Sequence, residues 1–148
     1  SKKVSYAYYL RALNYFEQIK DVERDQSMTE KAKKAFNEVL TKYPESQFAQ
    51  DAKSKIDIIN DRLAAKELEI ARYYQFSHQW ISAINRYNEI LKNYNTSVYT
   101  AESLHRLVEI YYSLGLYDEA KKYASTLGHN FPESKWYKMS YELIEDII

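Results

Sequence analysis

Hydrophobic positions recur along this chain with the 3.6-residue period of α-helices, and polar positions lie between them. The segment 47–76 keeps an apolar stripe at near-helical spacing without a single glycine or proline. The whole chain holds only two glycines and two prolines, far fewer turn residues than hairpin-rich β structure needs. The pattern therefore predicts helices and no sheet, at 3–20, 28–43, 47–77, 80–94, 98–114, 117–130 and 134–147.

A short phrase recurs along the chain. "KYPESQF" at 42–48 and "NFPESKW" at 130–136 contain both prolines, and "NYNTSVY" at 93–99 is a third copy with Asn95 at the proline position. Three spaced residues precede each copy, and we call this set the ladder. The first is small, the second is aromatic or small, and the third is aliphatic. Its members are Ala32, Phe36 and Val39, then Ala83, Tyr87 and Ile90, then Ala120, Ala124 and Leu127. This ladder is typical of the second helix of a tetratricopeptide-type repeat.

The phrase itself is interpreted as a joint between helix pairs. A residue before proline avoids the helical region, so proline stops one helix. The serine two residues later (Ser46, Ser97 or Ser134) is placed to cap the next helix. We prefer this interpretation to a phosphate-binding or catalytic one.

The predicted fold is therefore all-α, a tetratricopeptide-type right-handed helical solenoid. It has about three helix pairs, at about 3–44, 47–95 and 98–132, and a capping helix at 134–147. We predict a single domain over 1–148. Such stacked helix pairs present an extended concave surface that holds other proteins.

Two segments depart from the standard repeat. The segment 47–76 is predicted as one helix of about 45 Å, of which half overhangs an ordinary helix pair, and the alternative is two helices meeting near 61–65. The polar stretch 21–29 is an unusually long turn, in which Thr29 could cap the second helix. The first helix is apolar on two sides, so we expect preceding repeats and interpret the chain as the C-terminal part of a longer protein.

Composition argues against several functions. Basic and acidic residues balance at 21 each, so no net field favours nucleic acid or anionic lipid. The chain has no cysteine, no apolar run long enough to span a membrane and no recognisable signal peptide. Its three histidines lack metal-ligand spacing, and no nucleophile or phosphate-loop motif is present. We therefore expect no enzyme, no cofactor, no metal and no nucleic-acid partner, but a protein-binding scaffold.

Several phrases are more specific than the ladder. "DVERDQS", "KYPESQFAQDAKSKI", "AAKELEIARYYQ", "AINRYNEIL" and "LVEIYYSLGLYDEAKKYASTLGHNFPESKWY" resemble the BamD (ComL) family, lipoproteins of the machinery that assembles β-barrel proteins in the outer membrane of Gram-negative bacteria. The resemblance extends from about Tyr15 to the end of the chain.

The resemblance implies a scaffold component of the BAM complex on the periplasmic face of the outer membrane. Its expected partners are the periplasmic POTRA domains of BamA, smaller BAM lipoproteins and unfolded outer-membrane proteins. Family members are held by a lipidated cysteine upstream of the repeats, which this chain lacks. The alternative is a generic periplasmic tetratricopeptide adaptor for cell-envelope or division proteins.

Four residues are candidate partner contacts. The resemblance places Asn85-Arg86 where family members carry an arginine that meets an acidic residue of BamA. By itself, the pattern predicts a solvated arginine beside the core of its helix, with its stem on apolar surface and its guanidinium free. Arg24 and Asp25 lie in the long turn, where Arg24 either ties the loop internally or contacts a partner.

Overall fold

The computed structural model describes residues 1–148, and each of its regular elements is an α-helix. The seven predicted helices are confirmed, with ends shifted by up to three residues. They are α1 (Lys2–Glu17), α2 (Gln26–Lys42), α3 (Ala49–Phe76), α4 (Trp80–Asn93), α5 (Thr100–Ser113), α6 (Tyr117–Asn130) and α7 (Lys135–Ile144). The chain is therefore an all-α protein. The handedness and concave surface of a solenoid stay predictions.

The repeated ladder forms the buried positions of α2, α4 and α6. Each of its nine side chains is at most 4% exposed, including the large aromatic rings of Phe36 and Tyr87. Since these positions are spaced by three or four residues, they share one face of each helix. The ladder is thus a packing pattern, as the periodicity predicted.

The three joints share one backbone geometry. The aromatic residue that ends each helix has φ near −135°, and its carbonyl accepts a hydrogen bond from the serine three residues later. These N–H···O distances are 3.0 Å for Ser46 to Tyr43, 2.9 Å for Ser97 to Tyr94 and 3.1 Å for Ser134 to Phe131. The turn therefore forms with Asn95 as well as with proline.

The capping role predicted for the three serines holds fully only for Ser134. Its hydroxyl accepts a hydrogen bond from the Tyr137 N–H at 3.1 Å, as an N-cap does. The hydroxyls of Ser46 and Ser97 instead accept from the residue two positions on, Phe48 at 3.3 Å and Tyr99 at 3.2 Å. Those two serines stabilise the turn and not the first turn of the helix.

Helix α3 is continuous through 61–65, so the two-helix alternative is wrong. We also expected the first half of α3 to project beyond the neighbouring helix pair, and this is wrong for the pair formed by α1 and α2. Ala52 and Ile59 are fully buried in one core with Ala12, Phe36 and other residues of α1 and α2. An apolar stripe along a helix this long needs partners over its full length, and the first pair supplies them for the first half.

The contacts divide the chain into two compact units, 1–63 and 64–148, with the boundary inside α3. The first unit has a single core built by α1, α2 and the first half of α3. The second unit has one core around Tyr87, Leu68 and Leu107, and another around Val108, Ala120 and Ile144. Our prediction of a single domain stays a prediction.

The turns after α3 and α5 are equivalent and use different residues for the same task. Gly115 follows the end of α5 with φ 75°, the left-handed conformation that glycine adopts without steric cost. The matching residue after α3 is His78, with φ 59°. Its ring stacks on Trp80 with centroids 5.0 Å apart, which helps to offset the backbone cost.

Candidate protein-binding site

Arg86 lies on α4 between the buried ladder residues Ala83 and Tyr87, and its side chain is 41% exposed. The prediction of a free guanidinium is corrected by the structure. Nη1 of Arg86 donates to Glu67 of α3, at 3.2 Å to Oε1 and 3.3 Å to Oε2. Since both bonds come from one nitrogen, the rest of the guanidinium keeps donors for a second acceptor.

The outward face of α4 beside Arg86 mixes apolar and polar side chains. Asn85 is exposed. Ile81, one helical turn earlier on the same face, is 77% exposed and has no apolar cover. Sequence reasoning did not single out Ile81, although its side chain lies outside the Ala83, Tyr87 and Ile90 ladder.

An ion-pair network lies in the same unit and was not found from the sequence. Glu102 of α5 is 5% exposed and accepts from Arg72 of α3, with Nη2 to Oε2 at 2.6 Å and Nε to Oε2 at 2.9 Å. Arg106 donates to Glu102 at 3.1 Å and to Glu109 at 3.0 Å. Two arginines therefore share one nearly buried carboxylate, which ties α3 to α5.

Glu109 and Tyr87 extend this network toward the core. Burial alone would raise the pKa of Glu109, but the neighbouring His105 and hydrogen bonds from Arg106 and Gln75 outweigh it and lower the pKa to about 2. Gln75 also accepts a hydrogen bond from the buried hydroxyl of Tyr87 at 2.7 Å. Burial raises the pKa of that hydroxyl. The network thus links α4, through Tyr87 and Gln75, to α3 and α5 and keeps the helices around Arg86 in place.

His105 is the buried histidine of the chain, at 2% exposure. Its Nδ1 lies 2.7 Å from the hydroxyl of Ser140, and its ring lies against Trp136. Both partners belong to α7, so His105 anchors that helix on α5. His129 lies in the last turn of α6.

The loop holding Arg24 and Asp25 is tied by Asp25 and not by Arg24. The Asp25 carboxylate accepts from the backbone N–H groups of Lys20 at 2.9 Å and Asp21 at 3.0 Å. The hydrogen bonds from Asp21 and then Lys20 lower its pKa. The Arg24 side chain is 72% exposed and reaches only its neighbour Asp25, at 3.9 Å. Arg24 is therefore available to a partner, whereas Asp25 is occupied.

Thr29 does not cap α2, contrary to the prediction, because that helix already begins at Gln26. Its side chain is buried and donates to the carbonyls of Asp25 at 3.0 Å and Val22 at 3.4 Å. Thr29 thus closes the loop from inside the helix. These residues belong to the first unit, whereas Asn85 and Arg86 belong to the second.

A shallow apolar groove of about 290 Å³ lies between α6 and α7. Its lining residues are Lys121, Ala124, Ser125, Tyr137, Tyr141, Ile144 and Ile148. Tyr141 and Ile148 are 46% and 64% exposed, and Met139 beyond them is 42% exposed. Most of this lining is apolar or aromatic.

Two findings bear on other kinds of site. No group of three or more His, Cys, Asp or Glu side chains is placed to hold a metal ion. No helix is both long enough and apolar enough to cross a membrane.

The buried ladders and the three like joints define a helical-repeat protein of the tetratricopeptide type. The chain belongs to the YfiO family, described as outer membrane lipoproteins, whose model matches residues 1–127.

Curated relatives agree with this family. The chain is 49% identical to the outer membrane protein assembly factor BamD of Rickettsia prowazekii, over 97% of this chain and 57% of the relative. It is 46% identical to BamD of Caulobacter vibrioides, over 95% of this chain and 46% of the relative. The chain is 32% identical to BamD of Neisseria meningitidis serogroup A, over 88% of this chain and 53% of the relative. The chain thus spans about half the length of the relatives it matches.

Proposed function

We propose that this chain is part of a non-catalytic scaffold in the outer-membrane β-barrel protein assembly (BAM) complex. Membership of a family of outer membrane lipoproteins supports this, as do relatives named as assembly factors. In the whole protein, the scaffold lies on the periplasmic face of the outer membrane and is held there by a lipid anchor upstream of this chain.

The POTRA domains of BamA are the proposed partner of the second unit, with Arg86 and Asn85 at the centre of the contact. The observation that carries this proposal is the geometry of Arg86, which is half-exposed on α4 with guanidinium donors still available. A planar guanidinium recognises a carboxylate by two parallel hydrogen bonds, so the expected partner group is an aspartate or glutamate. The exposed Ile81, one helical turn before Asn85 on α4, supplies an apolar anchor for the same contact.

Two further contacts extend the proposal. The exposed Arg24, presented by the loop that Asp25 holds, is a candidate contact in the first unit. The apolar groove between α6 and α7 is a candidate site for a smaller BAM lipoprotein or an unfolded outer-membrane protein.

A generic periplasmic adaptor for cell-envelope or division proteins is the second candidate function. The helix pairs alone fit either function, because a helical-repeat fold does not specify its partner. The identity to BamD proteins over nearly the whole chain favours the BAM scaffold.

The test is the affinity of the Arg86→Glu variant for a POTRA-domain fragment of BamA, measured by calorimetry. Truncating one partner of a buried, hydrogen-bonded charge pair costs on the order of 2–5 kcal/mol, and a reversed charge costs at least as much. We therefore expect binding to fall by more than about 30-fold.

Lys92→Glu is the matched control, because it makes the same charge reversal on the exposed face of the same helix. It should change the affinity by only a small, salt-dependent factor. Circular dichroism and the melting temperature establish that both variants fold. If folded Arg86→Glu binds as tightly as the native chain, Arg86 is a solvated arginine and the proposed contact is wrong.

A further inference from the structure

Arg86 already has an acidic partner within its own chain. Glu67 approaches it from α3 with a side chain that is 24% exposed, and both hydrogen bonds run to Nη1 at 3.2 and 3.3 Å. Charge-assisted hydrogen bonds between nitrogen and oxygen are usually about 2.7–2.9 Å long. The pair between Arg72 and Glu102 in the same unit reaches 2.6 Å. The Arg86–Glu67 pair is therefore the looser of the two.

This pair acts against a second carboxylate. Glu67 neutralises much of the positive charge that an approaching acidic group would meet. Its own charge lies beside the guanidinium, so it also repels that group, and like charges at an interface cost free energy. An incoming carboxylate must either displace Glu67 or share the guanidinium with it.

The geometry of the Arg86–Glu67 pair argues against a role in stabilising the fold alone. Ion pairs that are substantially exposed contribute little to stability, typically about 0–1 kcal/mol. Arg86 is also placed by its backbone between Ala83 and Tyr87, both fully buried. Glu67 therefore contributes little to orienting the Arg86 side chain. Its main effect is electrostatic, on any carboxylate that approaches Arg86.

We propose that Glu67 is a built-in competitor that lowers the affinity of Arg86 for the acidic group of its protein partner. The inference rests on the proposed function, in which Arg86 binds a carboxylate of another protein. Glu67 thereby makes the contact reversible and selects for partners whose carboxylate outcompetes an internal one.

The test compares Glu67→Gln with the native chain in binding to the POTRA-domain fragment. Glutamine keeps the size and one hydrogen-bond acceptor of glutamate but removes its charge. We expect the affinity to rise by about three- to tenfold and the increase to shrink at high salt. Glu69→Gln is the matched control, since it removes the same charge from an exposed position of the same helix. It should leave the affinity within about twofold.

The double variant Arg86→Gln/Glu67→Gln separates the two proposals. If Arg86→Gln alone leaves binding unchanged, the proposed contact at Arg86 fails. If Arg86→Gln weakens binding but Glu67→Gln weakens it or leaves it unchanged, Arg86 is a contact and the competitor role is overturned. The competitor role is supported if Glu67→Gln strengthens binding only when Arg86 is present. Melting temperatures of all variants control for folding.

Discussion

Asp25 shows how one carboxylate can hold an irregular turn in this chain. It lies just before α2 and accepts hydrogen bonds from two consecutive backbone N–H groups, those of Lys20 and Asp21. Asp21, four residues earlier, accepts from the N–H groups of Glu23 and Arg24. The two carboxylates therefore order the loop together, since short acidic side chains can replace backbone acceptors. The arginine between them is left at the surface.

The first prediction separates Arg24 from Asp25. Asp25→Ala removes the acceptor of two backbone N–H groups, so the melting temperature should fall clearly. Arg24→Ala should leave the melting temperature close to that of the native chain, because its side chain is 72% exposed. Thermal unfolding followed by circular dichroism measures both. A large drop for Arg24→Ala, with Asp25→Ala unaffected, would reverse the assignment.

The second prediction concerns the pH dependence contributed by Glu109. Its pKa is lowered from 4.5 to about 2, so its contribution to stability is fully present above pH 4.5 and is lost as the pH falls toward 2. After a discount for solvent screening, we expect Glu109→Gln to lose on the order of 1–2 kcal/mol at neutral pH.

Urea unfolding of the native chain and of Glu109→Gln, from pH 7 down to pH 3, measures this contribution. The stability difference between the two should be constant above pH 5 and should narrow below it. Taking the difference cancels the titration of the other carboxyl groups. A difference that does not change with pH would show that Glu109 contributes through shape and not through charge.

At the scale of elements, the three joints show that backbone geometry and residue identity are separable. Tyr94 ends α4 with φ −134° and ψ 41°, close to the −134° and 55° of Tyr43 before its proline. The hydrogen bond from Ser97 closes the turn as Ser46 and Ser134 do in the other copies. The backbone of the middle joint therefore has the same conformation as the proline-containing joints, although its residue at the proline position is Asn95.

The third prediction follows from that geometry. Asn95→Pro should stabilise the chain by about 0.4–1 kcal/mol, because proline restricts the unfolded state where the native backbone already suits it. The donor that closes this turn is the Ser97 N–H, so the substitution does not remove it. Denaturant unfolding measures the gain. Pro132→Asn is the reciprocal control and should lose a similar amount, and a destabilised Asn95→Pro would mean that the turns differ.

At the scale of the molecule, the distribution of exposed apolar side chains points to protein partners. Ile81, Tyr73 and Phe76 are 77%, 65% and 67% exposed around the turn between α3 and α4. Large apolar side chains gathered in one region usually mark an interaction surface. In the second unit, this apolar region adjoins the helix that carries Arg86, which is the arrangement of an apolar anchor beside a charged contact.

The fourth prediction tests Ile81 as that anchor. Ile81→Ser should change stability by less than about 0.5 kcal/mol, because the side chain is already exposed. It should weaken binding of the POTRA-domain fragment by roughly 1–2 kcal/mol if the partner covers it. Val98→Ser, at 71% exposure in the native chain, is the control. Equal affinities for the native chain and Ile81→Ser would place the interface elsewhere.

The sequence by itself determined the helices, the ladders and the joints. These features depend on interactions within a few residues: the periodicity that buries Ala83, Tyr87 and Ile90, and the backbone preferences around Pro44 and Pro132. The continuity of α3 follows in the same way from an unbroken apolar stripe. Local rules were sufficient because each repeat uses the same short-range pattern.

Only the tertiary structure decided which charged groups meet. Glu67 and Arg86 are far apart in sequence, as are Arg72 and Glu102, and each helix carries several equivalent charges on its surface. Their pairing depends on the packing of one helix against another, which fixes the few positions within hydrogen-bonding distance. The sequence does not show this packing. It therefore predicted a free guanidinium at Arg86, whereas the folded chain places Glu67 beside it.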